Sequence, residues 1–216
     1  MTLALGAAWA SGLNLYAAAA MLGILGATGQ MTLPPDMQIL THPAMIGVAV
    51  VMYSVEFVTD KVPGIDSTWD AIHSFIRIPA GAVMAATAMG EVGFAAQAAA
   101  FLLGGGVAAA SHAVKAGTRV MINTSPEPFS NWGASIAEDG LVIGGLSLAV
   151  FYPIGFLVLF AGFVLFAVWI LPKIVRGVKG LWSRLRGKKS NAVTSDTPRA
   201  GDGRLSLEPG DRKRPD

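Results

Sequence analysis

Two stretches of this sequence place groups of ionisable residues between long apolar runs. The first is Val55 to Pro79, VEFVTDKVPGIDSTWDAIHSFIRIP, and the second is His112 to Asp139, HAVKAGTRVMINTSPEPFSNWGASIAED. Charged side chains in such a setting are costly to bury, and by default they indicate a polar site or pathway. The candidate site residues are Glu56, Asp60, Lys61, Asp70, His73, Arg77, His112, Lys115, Arg119, Asn123, Glu138 and Asp139.

The spacing of these residues puts acids on one helix face and bases on another. Glu56 and Asp60 are four residues apart, as are Lys115 and Arg119. Residues at this spacing share a helix face, so each face is expected to point away from lipid. The charges could be interfacial ion pairs that only set topology and pack the helices. They could equally line a polar cavity open to the cytoplasm, hold an anionic group with nearby helix N-termini, or relay protons through His73 and His112.

The composition indicates an integral membrane protein. Of the 216 residues, 53% are hydrophobic and only 14% are charged, and the mean hydropathy is +0.54. A bilayer core about 30 Å thick needs roughly 20 apolar residues for each helical span, and the sequence offers several such runs. The runs are continuous rather than alternating, which argues against a β-barrel. We predict an all-α, polytopic membrane protein with about six transmembrane helices within residues 1–172.

Breakers and caps divide the chain into elements. The predicted helices are Leu3–Ala27, Ala44–Thr59, Ser67 to about Gly90, Gly93 to about Ile122, Ser130–Tyr152 and Ile154–Leu171. Gly29–Pro43 is predicted to be a loop, and Ser67 with Asp70 resembles a capping box. Pro79 is expected to kink the third helix. The triplet Gly104–Gly106 leaves open a break that would make the fourth helix two segments.

Sliding the sequence on itself by 63 positions suggests an internal duplication. It brings Pro63 onto Pro126, Ser67 onto Ser130 and Trp69 onto Trp132. We predict two helix-turn-helix units, about residues 44–90 and 107–153, parallel with six spans and inverted if the fourth helix is broken. Acids on the second helix would then face bases on the fourth. His73 and Arg77 on the third helix would face Glu138 and Asp139 on the fifth.

The C-terminal part is basic and then polar. Seven basic residues follow the last predicted span: Lys173, Arg176, Lys179, Arg184, Arg186, Lys188 and Lys189. The positive-inside rule places this end, and with six spans also the N-terminus, in the cytoplasm. Residues 173–189 are predicted to lie beside the membrane and to contact anionic lipid rather than nucleic acid. Residues 190–216 are predicted to be disordered.

Several chemistries are absent from the sequence. It contains no cysteine, which excludes disulfides and thiol nucleophiles. We find no phosphate-binding loop, zinc-protease motif or nucleophile elbow, and predict no enzyme, no cofactor and no metal site. Trp69 and Trp132 are predicted to be interfacial anchors. Small-residue faces permit a homo-oligomer, and the abundance of alanine and glycine points to a bacterial cytoplasmic membrane.

Four motifs together resemble one family. They are GLNLY (Gly12 to Tyr16), EFVTDKVPGIDSTWDAIHSFIRIPAGA (Glu56 to Ala82), KAGTRVMINTSPEPFSNW (Lys115 to Trp132) and the pair Glu138-Asp139. The sequence from about Leu3 to Pro172 is similar to bacterial multi-pass membrane proteins of the DUF4126 family, a domain of unknown function. The resemblance implies a small polytopic membrane protein, and it brings no activity and no catalytic residues.

Three hypotheses of function follow from these features. The first is a small transporter, channel or lipid-handling protein whose polar site between the two units takes an unknown solute, ion or lipid. The second is a structural or assembly protein whose charges serve only to hold the helices together. The third is a membrane enzyme acting on lipid head groups with a carboxylate as the base.

Overall fold

The computed structural model describes residues 1–62, 64–123 and 128–195. They form α1 (Thr2–Ala27), a short 3-10 helix (Pro35–Thr41), α2 (Pro43–Thr59), α3 (Ile65–Thr87), α4 (Phe94–Ile122), α5 (Pro128–Phe151) and α6 (Pro153–Ser195). These residues contain no strand, so the predicted all-α class is confirmed. The chain divides into two units, Met1–Val178 and Lys179–Asp216, and the described part of the second is the end of α6.

Among the described residues, four helices are long and apolar enough to cross a membrane: Thr2–Ala27, Phe94–Ile122, Phe129–Phe151 and Pro153–Gly177. The 3-10 helix and α2, bent by 67° at their junction, would together add a fifth span. Helix α3 does not qualify, because its first turns carry acidic and basic side chains. The predicted number of six spans is therefore not confirmed.

Two predicted helix starts are wrong by a few residues. Helix α3 begins at Ile65 after Gly64, whose φ of 87° suits a residue without a Cβ. The predicted capping box of Ser67 and Asp70 does not form, because the Asp66 carboxylate accepts from the backbone N–H groups of Gly64 and Ser67 instead. Ser130 lies inside the first turn of α5 rather than capping it.

Two further predictions meet the structure only in part. The segment 29–43, predicted to be a loop, contains the 3-10 helix, since proline at its start fixes a helical φ. Both predicted helix pairs, α2–α3 and α4–α5, are present. Their origin as a duplication stays a prediction, and its landmarks Pro63 and Pro126 lie outside the described residues.

Helix α4 runs unbroken through Gly104–Gly106, so the alternative of two segments is wrong. The reason is packing against α3. A Cβ at Gly104 would overlap the Cβ of Ala85 and lie 3.1 Å from the Gly81 carbonyl oxygen, whereas a Cβ at Gly106 would meet nothing within 4 Å. One glycine of the triplet therefore permits the close approach of two helices, as small residues do in membrane proteins.

This difference gives a matched pair of variants on one helix. We expect Gly104→Ala to destabilise the protein by roughly 1–3 kcal/mol, because the added methyl overpacks the contact with α3. Gly106→Ala should be neutral or slightly stabilising, since alanine is the better helix former. Thermal unfolding of both variants in detergent would check this. Equal unfolding temperatures would contradict the packing role of Gly104.

Helix α1 packs against α2, α3, α4 and α5. Its first half is lined with small residues, and Ala7, Ala8 and Ala10 are fully buried. Trp9, 1% exposed, stands edge-on to the rings of Phe156 and Phe163 of α6. The central position of α1 makes its polar residues part of the interior.

The backbone of α1 is interrupted at its middle. Asn14 has φ −151° and ψ 95°, which are not helical values. Its side-chain oxygen accepts from the Ala17 N–H at 2.9 Å, so Asn14 acts as the N-cap of the second half. The predicted first span is therefore a broken helix, and the break near its midpoint frees backbone groups for other partners.

Helix α6 continues beyond the predicted end of the last span. Pro172 lies inside it, and the helix extends to Ser195. Ile174, just past that proline, is buried and packs on Gly117 of α4. The predicted basic segment 173–189 is therefore helical. Residues 190–195 belong to the same helix, and the rest of the tail predicted to be disordered lies outside the described residues.

Candidate functional site

Seven charged side chains form a continuous set of salt bridges in the described part of the chain. Six of them lie on α2, α3, α4 and α5, and the seventh, Asp60, directly follows α2. We call this set the ionic cluster; its members are Glu56, Asp60, Asp70, Arg77, Lys115, Arg119 and Glu138. Six of these side chains are at most 4% exposed, and Glu138 is 12% exposed. The charges are thus held almost entirely out of solvent.

Lys115 lies at the centre of the ionic cluster. Its Nζ is 2.9 Å from Glu56 Oε1 and 2.9 Å from Asp60 Oδ2. Glu138 Oε2 lies 3.5 Å away and Asp70 Oδ1 3.7 Å away. One ammonium group therefore neutralises parts of four carboxylates on three helices and at the end of α2.

Arg77 connects the ionic cluster to the break in α1. It donates to Glu56 Oε1 at 2.6 Å and to Asp70 Oδ1 at 2.9 Å. It also donates to the backbone carbonyl of Leu13 at 3.3 Å, an acceptor next to the interruption at Asn14. If α1 crosses the membrane, these charges reach the middle of the bilayer.

Arg119 holds the opposite end of the cluster. Its guanidinium donates to both carboxylate oxygens of Glu138, at 2.8 Å and 3.3 Å. It also donates to the Asp60 backbone carbonyl at 2.8 Å and to the Asn131 side chain at 3.2 Å. Arg119 thereby ties the end of α2 to the start of α5.

The observed pairing agrees with one prediction and corrects another. Acids at the end of α2 face the bases of α4, as the opposite signs predict. The expected pairing of Arg77 with Glu138 and Asp139 is wrong, because Arg77 binds Glu56 and Asp70. Asp70 is two helical turns before Arg77 on the same face of α3.

The ionic cluster contains more acids than bases. Four carboxylates share the three cationic groups of Arg77, Lys115 and Arg119. One carboxylate oxygen of each of three acids is buried without a hydrogen-bond partner among the described residues: Glu56 Oε2, Asp60 Oδ1 and Asp70 Oδ2. With every acid ionised, the cluster carries a net charge of −1.

Two further buried carboxylates are held by neutral donors. Asp66 accepts from the amide of Asn123 through both oxygens, at 2.8 Å and 3.0 Å. Asp139 accepts from the Asn14 amide at 3.2 Å. Neither forms a salt bridge within the described residues, so they add to the negative charge around the cluster.

The remaining predicted site residues lie beside the cluster. His73 contacts the Trp69 carbonyl oxygen at 2.9 Å and stacks on the Trp69 ring, and His112 contacts the Ser74 hydroxyl. Among the described contacts, neither imidazole is hydrogen-bonded to a carboxylate, and the relay stays a prediction. Of the two predicted anchors, Trp132 is 52% exposed, while the Trp69 indole N–H is buried.

Lys61 does not join the ionic cluster. Its ammonium lies 2.9 Å from the centroid of the Phe57 ring and donates to the Phe57 carbonyl. Partial burial there lowers the pKa of Lys61. Lys61 thus contacts Phe57 in the last turn of α2, and it is a suitable control for the buried Lys115.

Sequence reasoning missed three contributors. The sequence shows Asn14 only as a polar residue in an apolar run, with nothing that marks it as a break in α1. Asp66 lies in the first charged stretch and is fully buried. Asn131 is also fully buried. The one feature of the sequence that could have indicated it is its position two helical turns before Glu138, on the same face of α5. Within the described residues no group of three or more His, Asp or Glu side chains is arranged to hold a metal ion.

The fold and the site define an all-helical protein with several helices suited to a membrane and a buried network of charges among them. The chain belongs to the DUF4126 family, described as a domain of unknown function, whose model matches residues 1–173. That description indicates no enzymatic family. Comparison with curated proteins and with solved structures finds no significant match.

Proposed function

We propose that this protein is a small membrane transporter that carries protons through the ionic cluster. The observation that supports this function is the imbalance of four carboxylates against three cationic groups in a site that is 0–12% exposed. Burying an uncompensated charge costs several kcal/mol even after relaxation. A proton or another cation that joins the cluster removes this cost, so the site favours cation binding.

The broken helix supports the same function. Transporters often place their binding sites beside discontinuous helices near the membrane midplane, where free backbone groups complete the site. Here Asn14 interrupts α1 at its middle, and Arg77 reaches the adjacent Leu13 carbonyl. A small change of backbone at Asn14 would alter the partners of Arg77 and Asp139, and with them the affinity of the cluster for a cation.

The proposed setting is a bacterial cytoplasmic membrane with the basic end of α6 in the cytoplasm. Lys173 and Arg176 lie at the C-terminal end of the last candidate span, Pro153–Gly177, and basic residues at this end agree with the positive-inside rule. Anionic lipid is the expected partner of this end of the helix.

A structural role is the second candidate. It is favoured by the salt bridges that Arg77, Lys115 and Arg119 each form, since none of the three has an exposed side chain. In that case the cluster would only hold α2, α3, α4 and α5 together. The two functions differ in one consequence, since a purely structural cluster moves no charge.

The direct test is proton movement in vesicles. Purified protein is reconstituted into phosphatidylethanolamine and phosphatidylglycerol vesicles that enclose a pH-sensitive dye, and valinomycin with a potassium gradient makes the interior negative. We expect vesicles with protein to acidify several-fold faster than protein-free vesicles carried through the same procedure. Equal rates, with the protein shown to be folded and inserted, would contradict the transporter and favour the structural role.

A further inference from the structure

An apolar pocket of about 230 Å³ adjoins the ionic cluster between α1, α4, α5 and α6. Its walls include Trp9, Leu141, Phe163 and Phe166. The charged residues of its lining are Lys115 and Glu138. The pocket thus joins an aromatic and aliphatic wall to one end of a charged network.

Glu138 determines the charge that the pocket presents. The Lys115 side chain is 0% exposed and lies within 3.7 Å of four carboxylates. Glu138 has the most exposed side chain of the cluster, at 12%. Because the cluster as a whole has one more acid than it has bases, a ligand entering here meets net negative charge.

The aromatic walls favour the same kind of ligand. The rings of Trp9 and Phe163 are 5.7 Å apart and edge-to-face, and Phe166 is 46% exposed. Aromatic faces attract organic cations, and the attraction is stronger where water is excluded. Apolar walls also admit the hydrophobic substituents of such a cation, which a small inorganic ion does not have.

We propose that this pocket binds a lipophilic organic cation, such as a quaternary phosphonium or ammonium ion, with its positive charge near Glu138. This inference deepens the proposed function, because the cation would share the negative charge of the cluster with the transported proton. Binding of the organic cation would then compete with binding of the proton. The apolar groups of the cation would reach the pocket from the lipid phase.

The test compares two probes of the same shape and opposite charge. Equilibrium dialysis of the detergent-solubilised protein measures binding of tetraphenylphosphonium and of tetraphenylborate, with empty micelles as the blank. We expect saturable binding of the phosphonium and at least roughly tenfold weaker binding of the borate, a difference of about 1.4 kcal/mol or more. Equal binding of the two would show a pocket that takes apolar groups regardless of charge, and would overturn the proposal.

Three variants locate the binding site. Glu138→Gln should weaken phosphonium binding by roughly tenfold or more. Ala137→Leu, which fills the pocket without altering a charge, should weaken it similarly. The matched control is Ala100→Leu in a separate apolar pocket formed by α1, α3 and α4, and it should bind normally. If Ala137→Leu binds as well as the unmodified protein, the cation lies elsewhere and the assignment is wrong.

The test of phosphonium binding and the test of proton movement can give independent results. Proton movement without phosphonium binding would reject this pocket as a cation site and leave the transporter intact. Phosphonium binding without proton movement would keep the pocket and reject proton transport. Release of protons into weakly buffered solution on phosphonium binding, lost in Glu138→Gln, would show that the two ions share the cluster.

Discussion

Replacing Lys115 with methionine is expected to lower the apparent unfolding temperature by about 10 °C or more. The ammonium group of Lys115 contacts Glu56 and Asp60 at 2.9 Å and lies near two further carboxylates. Methionine keeps much of the side-chain length but removes the charge, leaving four buried carboxylates with two cationic partners. Breaking a buried ion pair by removing one partner costs roughly 3–5 kcal/mol.

The control is methionine in place of Lys61, the other lysine of the two charged stretches. Among the described contacts, the Lys61 ammonium lies against the Phe57 ring and donates to the Phe57 carbonyl of its own helix. Lys61→Met should therefore shift the unfolding temperature little, by the equivalent of about 0.5 kcal/mol or less. Tryptophan fluorescence during heating in one detergent measures both. A Lys115→Met variant as stable as Lys61→Met would show that the cluster is not held by this ammonium.

Replacing Asp70 with asparagine is expected to abolish proton movement while leaving the protein as stable as before. The asparagine oxygen can still accept from Arg77, which donates to Asp70 Oδ1 at 2.9 Å. The amide nitrogen would take the position of Oδ2, which has no hydrogen-bond partner among the described residues. The cluster would then contain three carboxylates and three cationic groups and would no longer need a compensating proton.

The combination of these two results separates transport from structure. Vesicle acidification and thermal unfolding are measured on the same preparation, with the exposed Asp36→Asn as the matched control that should change neither. A loss of both stability and transport would indicate that Asp70 acts through folding. Full proton movement in a stable Asp70→Asn variant would refute the role of the charge imbalance.

Much of the architecture follows from local sequence patterns. Continuous apolar runs and the breakers between them predict α1 to α5 and the start of α6 to within a few residues, because helix formation inside a membrane depends mainly on local hydrophobicity. They do not predict the 3-10 helix or the extension of α6 to Ser195. The four-residue spacing of Glu56 with Asp60 and of Lys115 with Arg119 predicts two faces of opposite charge. The structure brings these faces together.

The parts that sequence reasoning missed depend on contacts between distant segments. The break at Asn14 is stabilised by Asp139 of α5, which contacts Asn14, and by Arg77 of α3, which donates to the adjacent Leu13 carbonyl. The residues around Asn14 in the sequence indicate neither contact. Arg77 has a second possible partner in Asp70 on its own helix. The signs of the charges therefore do not determine which acid it binds. The continuous helix at Gly104 likewise follows from the contact with Ala85. A glycine in the sequence is compatible with a break in the helix and also with the close approach of a second helix.

The measurement that tests the cluster most directly is infrared spectroscopy of the protein in lipid over the pH range in which it stays folded. The carbonyl stretch of a protonated carboxyl group, identified by its shift in heavy water, reports the compensating proton. We predict such a band in the unmodified protein, its reversible loss as the pH rises, and its absence from Asp70→Asn. If all carboxyl groups of the cluster are ionised at every pH, or if the band is unchanged in Asp70→Asn, the cluster does not bind the proposed proton.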